Sequence, residues 1–325
     1  MSDIEQVLRF AAPGVKRISL PAWDCLPYDR VSPSTSVSAQ RLNALARIGR
    51  LSRQEKPAPT LILTTSNALL QRTANPVRVA KQIINVKAGG VASMDALSEA
   101  AATNGFERVP TVREVGEFAV RGGILDVFAP GFDEPVRLDF FGEQLETVRS
   151  FDPATQRTTR QREGFSLLPM SEVTLSSKTI SRFRKNYIER FGAPDREDAL
   201  YQAIAAGNRF AGMEHWLPLF MEETVSLFDA LPQVPIIFDS LAIDAIGERT
   251  EQIDEYFNAR VDQRVGKSAK AGAGPYHPLK PEALYMDQAE LESALNARTS
   301  IQLTPFEHPE SSERTIVSVA GRPAR

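Results

Sequence analysis

Three kinds of chemistry are conceivable from the residue types of this chain, and their spacing favours one. Histidine-based metal or acid-base chemistry needs its groups gathered by a local pattern. His215, His277 and His308 lie far apart, and none stands in an HExxH-like arrangement. In Glu214-His215-Trp216, neighbours point to opposite faces of a strand or diverge by about 100° on a helix, so the pair shares a ligand poorly. Packing is the expected role of His215. The adjacent carboxylates Glu222 and Glu223 read as a solvated face. Phosphate binding needs a glycine-rich turn, then a lysine, then a hydroxyl. Gly266-Lys267-Ser268 supplies only the second half: the leading position is Val261, and the tripeptide follows a helical pattern rather than a strand. A solvated linker is expected there. The chain is expected to have no catalytic residues, no metal ligands and no bound cofactor of its own.

The third chemistry is recognition. In Pro135-Val136-Arg137-Leu138-Asp139-Phe140-Phe141, alternation along a strand puts Val136, Leu138 and Phe140 on one face and Arg137, Asp139 and Phe141 on the other. The first face is core-like. On the second, a phenylalanine beside an arginine has the composition of a protein-protein hot spot: an apolar anchor with a planar cation. The pattern equally allows Phe141 to be covered by another element. Arg121, next to Gly122-Gly123, sits at a strand end from which a long side chain can project. A surface charge there is inert by itself; only several such residues near one another would change that reading, because arginine grips a partner carboxylate in a bidentate way that lysine cannot.

These residues must be positioned by a meander. Gly116 to Arg121, Ile124 to Ala129, Val136 to Phe141 and Leu145 to Phe151 are short apolar runs separated by turn chemistry at Gly122-Gly123, Pro130-Gly131 and Gly142-Glu143. Ser93 to Asn104 before it reads as a helix with Met94, Leu97 and Ala101 on one face, ended by Gly105. Together they form a small α+β unit over 86–169. Residues 1–85 read as α/β: a strand at Val15 to Leu20, a helix at Val37 to Leu51, a strand at Thr60 to Thr65 and a capped helix from Ser66. Residues 170–303 return to helices, at Ile180 to Phe191, Arg196 to Ala206 and Ala242 to Phe257, around a strand at Val234 to Asp239. The stretch 261–281 reads as a flexible excursion, and 304–325 as a polar tail.

Composition bounds the alternatives. With 42% hydrophobic residues the chain can bury a sizeable core, and a formal charge of −3, evenly interspersed, does not create the basic field of a dedicated DNA binder. The single cysteine, Cys25, excludes an intrachain disulfide and a multi-cysteine zinc site, which fits a reducing cytoplasm. The acidic N-terminal residues do not read as a signal peptide, and no apolar run approaches the ~18 residues of a membrane span.

Arg113 to Phe128 (REVGEFAVRGGILDVF), Pro135 to Gly142 (PVRLDFFG) and Val148 to Pro153 (VRSFDP) closely resemble the bacterial transcription-repair coupling factors, the Mfd family. Leu20 to Asp29 (LPAWDCLPYD), Ser32-Pro33, Ala211 to Phe220 (AGMEHWLPLF) and Pro278 to Tyr285 (PLKPEALY) extend the resemblance over nearly the whole chain. It implies a UvrB-like module: an incomplete, degenerate RecA-like α/β domain, an α+β UvrA-binding domain and a further α/β domain. It also implies that the module has lost ATPase function. The present sequence begins after the region where the first strand and phosphate loop would lie. Displacement of stalled RNA polymerase, contact with double-stranded DNA, and hydrolysis of ATP with magnesium would belong to the full-length relatives. Position by position, the resemblance makes Arg121, Arg137 and Phe141 contacts to UvrA, on a surface that a C-terminal domain of the family covers. The competing readings are a diverged UvrB-type damage-binding subunit and a stand-alone nucleotide hydrolase.

Overall fold

The structure, a computed structural model, describes residues 2–265, 276–304 and 315–317. The Gly266-Lys267-Ser268 segment, His308 and most of the expected tail lie outside the described residues.

The chain is a mixed α/β protein with several small sheets. It opens with a helix, Ser2–Ala11, where no element was expected. Strand β1 (Lys16–Leu20) pairs in parallel with β2 (Thr60–Thr64), and the crossover between them is the expected helix, Thr35–Leu51. Ser34 caps that helix by accepting the Val37 N–H, and Leu42, Leu45, Ala46 and Ile48 are its buried face. Thr65 caps the next helix, Ser66–Leu70, in the same way. β3 (Thr73–Ala74) and the helix Pro76–Gln82 follow. The helix Pro76–Gln82 runs against Thr35–Leu51 so closely that a Cβ on Gly49 would stand 2.1 Å from the Pro76 carbonyl oxygen.

The α+β unit comes next. Its strands are β4 (Ile84–Lys87), β5 (Gly90–Val91), β6 (Glu107–Arg108), β7 (Glu117–Arg121), β8 (Ile124–Val127), β9 (Val136–Phe141), β10 (Gln144–Phe151), β11 (Thr158–Arg162) and β12 (Gly164–Leu167). β7 to β10 form the expected antiparallel meander, β11 extends it by a strand that was not expected, β6 adds in parallel on the other side, and β5 pairs with β10. β4 and β12, the entering and leaving strands, pair with each other. The inner face, including Phe118, Leu125, Val127, Val136, Leu138, Leu145 and Val148, packs against Leu97 and Ala101 of the helix Met94–Thr103. A bulge between Leu145 and Thr147 turns both Leu145 and Val148 inward, which strict alternation would forbid.

The last segment carries the helices Ser177–Phe191, Ala199–Ala205 and Leu217–Phe220, β13 (Thr224–Val225), β14 (Ile236–Phe238), the long helix Ala242–Val265 and β15 (Ser300–Gln302). The second of these helices starts later than its pattern because Asp198 accepts the Tyr201 N–H and caps it. The segment returns to the N-terminal one: β13 pairs with β3, and Leu227, Phe228, Phe238, Ile246 and Met286 share a core with Ile18, Leu20, Leu42 and Leu45. The expected flexible excursion at 261–281 is corrected at both ends. Helix continues to Val265, for lack of a breaker before Gly266, and Tyr276, His277 and Leu279 are buried. Among the described residues no helix is long and apolar enough to cross a membrane.

Candidate protein-docking surface

The outer face of the meander is built by two tight turns. Gly122-Gly123 joins β7 to β8 with Arg121 opposite Ile124, and Gly142-Glu143 joins β9 to β10 with Phe141 opposite Gln144. Two-residue hairpins need positive φ, which Gly122 (59°) and Gly142 (60°) supply. Gly123 is required for a second reason: a Cβ there would meet the Phe140 carbonyl oxygen at 2.6 Å. Because β7 and β9 run the same way, both turns lie at one end of the sheet. Arg121 and Phe141 therefore share that end.

Cross-strand register sets the rest of the face: Asp126 opposes Arg137, Ile124 opposes Asp139, and Arg149 opposes Arg137 from the other side. Asp126 is fully buried and bridges two cations. Arg137 grips it with Nε to Oδ1 at 2.7 Å and Nη2 to Oδ2 at 2.8 Å, and Arg121 Nη2 donates to Oδ2 at 2.5 Å. The bond to Asp126 holds the Arg137 guanidinium in its charged form still more firmly than usual. That guanidinium also lies over the Phe151 ring, 4.5 Å from its centroid. Next to this cluster, Asp139 accepts from Thr147 Oγ1 and from Arg149 Nη2 at 2.6 Å. The two arginines differ in access: the Arg137 side chain is 15% exposed and that of Arg121 45%. Phe141 is 78% exposed, so no described element covers it. The cluster of two arginines on one aspartate keeps a positive charge beside an open aromatic ring.

At the opposite end of the same face, Val112, Ala119, Phe128 and Phe151 make a small buried cluster. The face is thus sealed at one end and open at the other.

His215 is buried, as expected from packing. Its ring stands edge-on to Trp23 at 5.4 Å, and burial pushes its pKa down to about 4. Burial pushes the Cys25 thiol, whose Sγ lies 3.9 Å from His215 Nε2, up to about 12. Glu214 points away from that pair, toward Ser32, Ser171 and Arg209. Glu222 lies between Arg78 and Arg182 on the surface. Among the described residues no group of three or more histidines, cysteines and carboxylates is placed to hold a metal.

Sequence reasoning missed Asp126, the carboxylate that organises both arginines, and the fully buried pair of Arg41 with Glu172. A signal for Asp126 existed: it interrupts the apolar run Ile124 to Phe128, where an acid needs a partner. Nothing local marked the other pair, whose members are 131 residues apart.

The UvrB interaction domain family matches residues 84–173. The transcription-repair-coupling factor of Haemophilus influenzae is 33% identical over 279 residues, 85% of this chain and 23% of that relative. That of Escherichia coli is 31% identical over 288 residues, 88% of this chain and 24% of the relative. That of Myxococcus xanthus is 36% identical over 241 residues, 70% and 19%. The chain spans about a quarter or less of the length of these relatives.

Proposed function

The chain belongs to the transcription-repair-coupling factor family, and from that premise we propose that the open end of its meander is a docking surface that recruits UvrA to transcription-coupled repair. The observation that carries this reading is the 78% exposed Phe141 on a sheet face, beside an arginine cluster whose buried aspartate holds it in place. Phe141 is the apolar anchor. Arg121 offers its free guanidinium edge to a carboxylate of UvrA, and Arg137 contributes its small exposed portion while fixing Asp126 and, through it, Arg121. Burial of a rigid aromatic with a pre-oriented cation is the composition of a hot spot, and little ordering entropy is lost on binding.

In this reading the function is binding rather than bond-making. The parallel β1–β2 pair and its crossover helix are then the remnant of a RecA-like domain, retained as scaffold. ATP hydrolysis, translocation on double-stranded DNA and contact with RNA polymerase belong to the full-length relatives. No cofactor is assigned to this chain. The test is a titration of purified UvrA against the chain and against Phe141→Ala and Arg121→Ala, with folding followed by circular dichroism. Saturable binding that the folded variants lose supports the role. A parent chain that does not bind UvrA would overturn it.

A further inference from the structure

The docking face does not end at Phe141. Gln144 on β10 opposes Phe141 on one side and Val91 on the other, so the three side chains form one row on the outer face. Two strand spacings of about 4.8 Å set Val91 about 10 Å from Phe141. Val91 is 77% exposed, almost the same as Phe141. A lone exposed valine needs no explanation. This one is held in place on both sides.

β5 is only two residues long, and its neighbours tie it down. Gly89 N–H donates to the Leu145 carbonyl at 2.7 Å, and Ala92 N–H donates to the Glu143 carbonyl at 2.9 Å. The Gln144 side-chain amide donates to the Gly89 carbonyl at 2.8 Å. Gln144 is thereby drawn toward β5 and away from the space above the row. Gly89, with φ +78°, makes the turn that brings Val91 up to the face. Val91 itself buries little in return.

We infer that Val91 is a second apolar anchor of the docking face, so that the partner presents two apolar sockets about 10 Å apart with a carboxylate on the Arg121 side. The carboxylate is placed on the Arg121 side by local charge: Arg121 and Arg137 against Asp126 leave one positive charge there and Asp139 and Arg149 cancel, while the exposed Glu143 lies in the turn on the Phe141 side. The inference rests on the docking reading and names the partner's chemistry at that same site. Gln144 is a positioning residue, acting through β5.

The test is the UvrA titration with Val91→Asp, Val91→Thr and Phe141→Ala. Val91→Thr keeps the β-branched shape and the strand preference, so β5 stays in place. The expected result is a loss of about tenfold or more for Val91→Asp and about threefold for Val91→Thr. Backbone hydrogen exchange at Gly89 and Ala92 should be unchanged in the threonine variant. Parental affinity in both variants, with Phe141→Ala impaired, would overturn the inference and leave the docking reading standing. Parental affinity in Val91→Thr alone would also overturn it, because an apolar anchor is sensitive to exchange of one methyl for a hydroxyl. A parent chain that does not bind UvrA removes both.

Discussion

Arg41 and Arg121 each bind a carboxylate with almost no solvent exposure, yet the two sites are built for different ends. Arg41 is itself fully buried; its Nε meets Glu172 Oε1 at 2.7 Å, Trp23 Nε1 donates to the same oxygen, and Nη1 donates to the Pro21 carbonyl. Every named group comes from inside the fold. This pair clamps the chain leaving the α+β unit onto the helix Thr35–Leu51. Arg121 meets an equally buried aspartate but keeps nearly half its side chain in water, next to an uncovered phenylalanine. What separates the structural ion pair from the proposed docking site is the unspent surface of the cation and its neighbour, since burial of the carboxylate is common to both.

The comparison can be broken in order of size. Arg41→Ala strands Glu172 as a buried uncompensated charge and should cost roughly 3–5 kcal/mol of stability, read by urea denaturation. The folded fraction should bind UvrA with parental affinity; a change in Kd would mean that the clamp also shapes the docking face. His215, in the same junction, provides a pH lever. Its folded pKa is lowered from 6.5 to about 4, so only the unfolded chain takes up the proton between those values. Stability is therefore fully present above about pH 6.5 and declines as pH falls toward 4, by on the order of 3 kcal/mol. Denaturation curves at pH 7 and pH 4.5 should show this loss in the parent chain and a flatter profile in His215→Gln.

The exposed site should respond the other way. Phe141→Ala should weaken UvrA binding about 30-fold or more while changing stability by no more than about 0.5 kcal/mol, because the ring buries little in the free chain. A large drop in melting temperature would instead make Phe141 structural. Arg121→Ala should cost roughly tenfold in Kd and reduce the salt dependence of association, with stability changed by about 1 kcal/mol or less. Unaltered salt dependence would argue that the partner brings no carboxylate to this point.

The site was legible in sequence wherever the chain is locally periodic. Alternation from Val136 to Phe141 placed Arg137 and Phe141 on the outer face, and the observed burial follows that alternation residue by residue. A glycine at the first turn position, Gly122 and Gly142, marked both hairpins, because only residues tolerant of positive φ close a two-residue turn. Period-two reading fails at Glu146, where the bulge resets the faces, and at β5, whose two residues carry no pattern at all. The helix Ser2–Ala11 went unassigned although Ile4, Val7, Leu8 and Ala11 stand at helical spacing, and Ile4, Val7 and Phe10 remain exposed on it.

By itself the sequence determined the strand and helix periods, the turns, and the outer-face placement of Arg137 and Phe141, because backbone preference and side-chain alternation act over a few residues. Only the tertiary structure decided which cations are spent. Asp126 reaches Arg137 across one strand pair, Glu172 reaches Arg41 across 131 residues, and Val91 reaches Phe141 through Gln144. Such pairings arise when distant strands and helices come together to bury a common apolar core. The charges that end up facing one another are set by that packing, and local spacing carries no record of it.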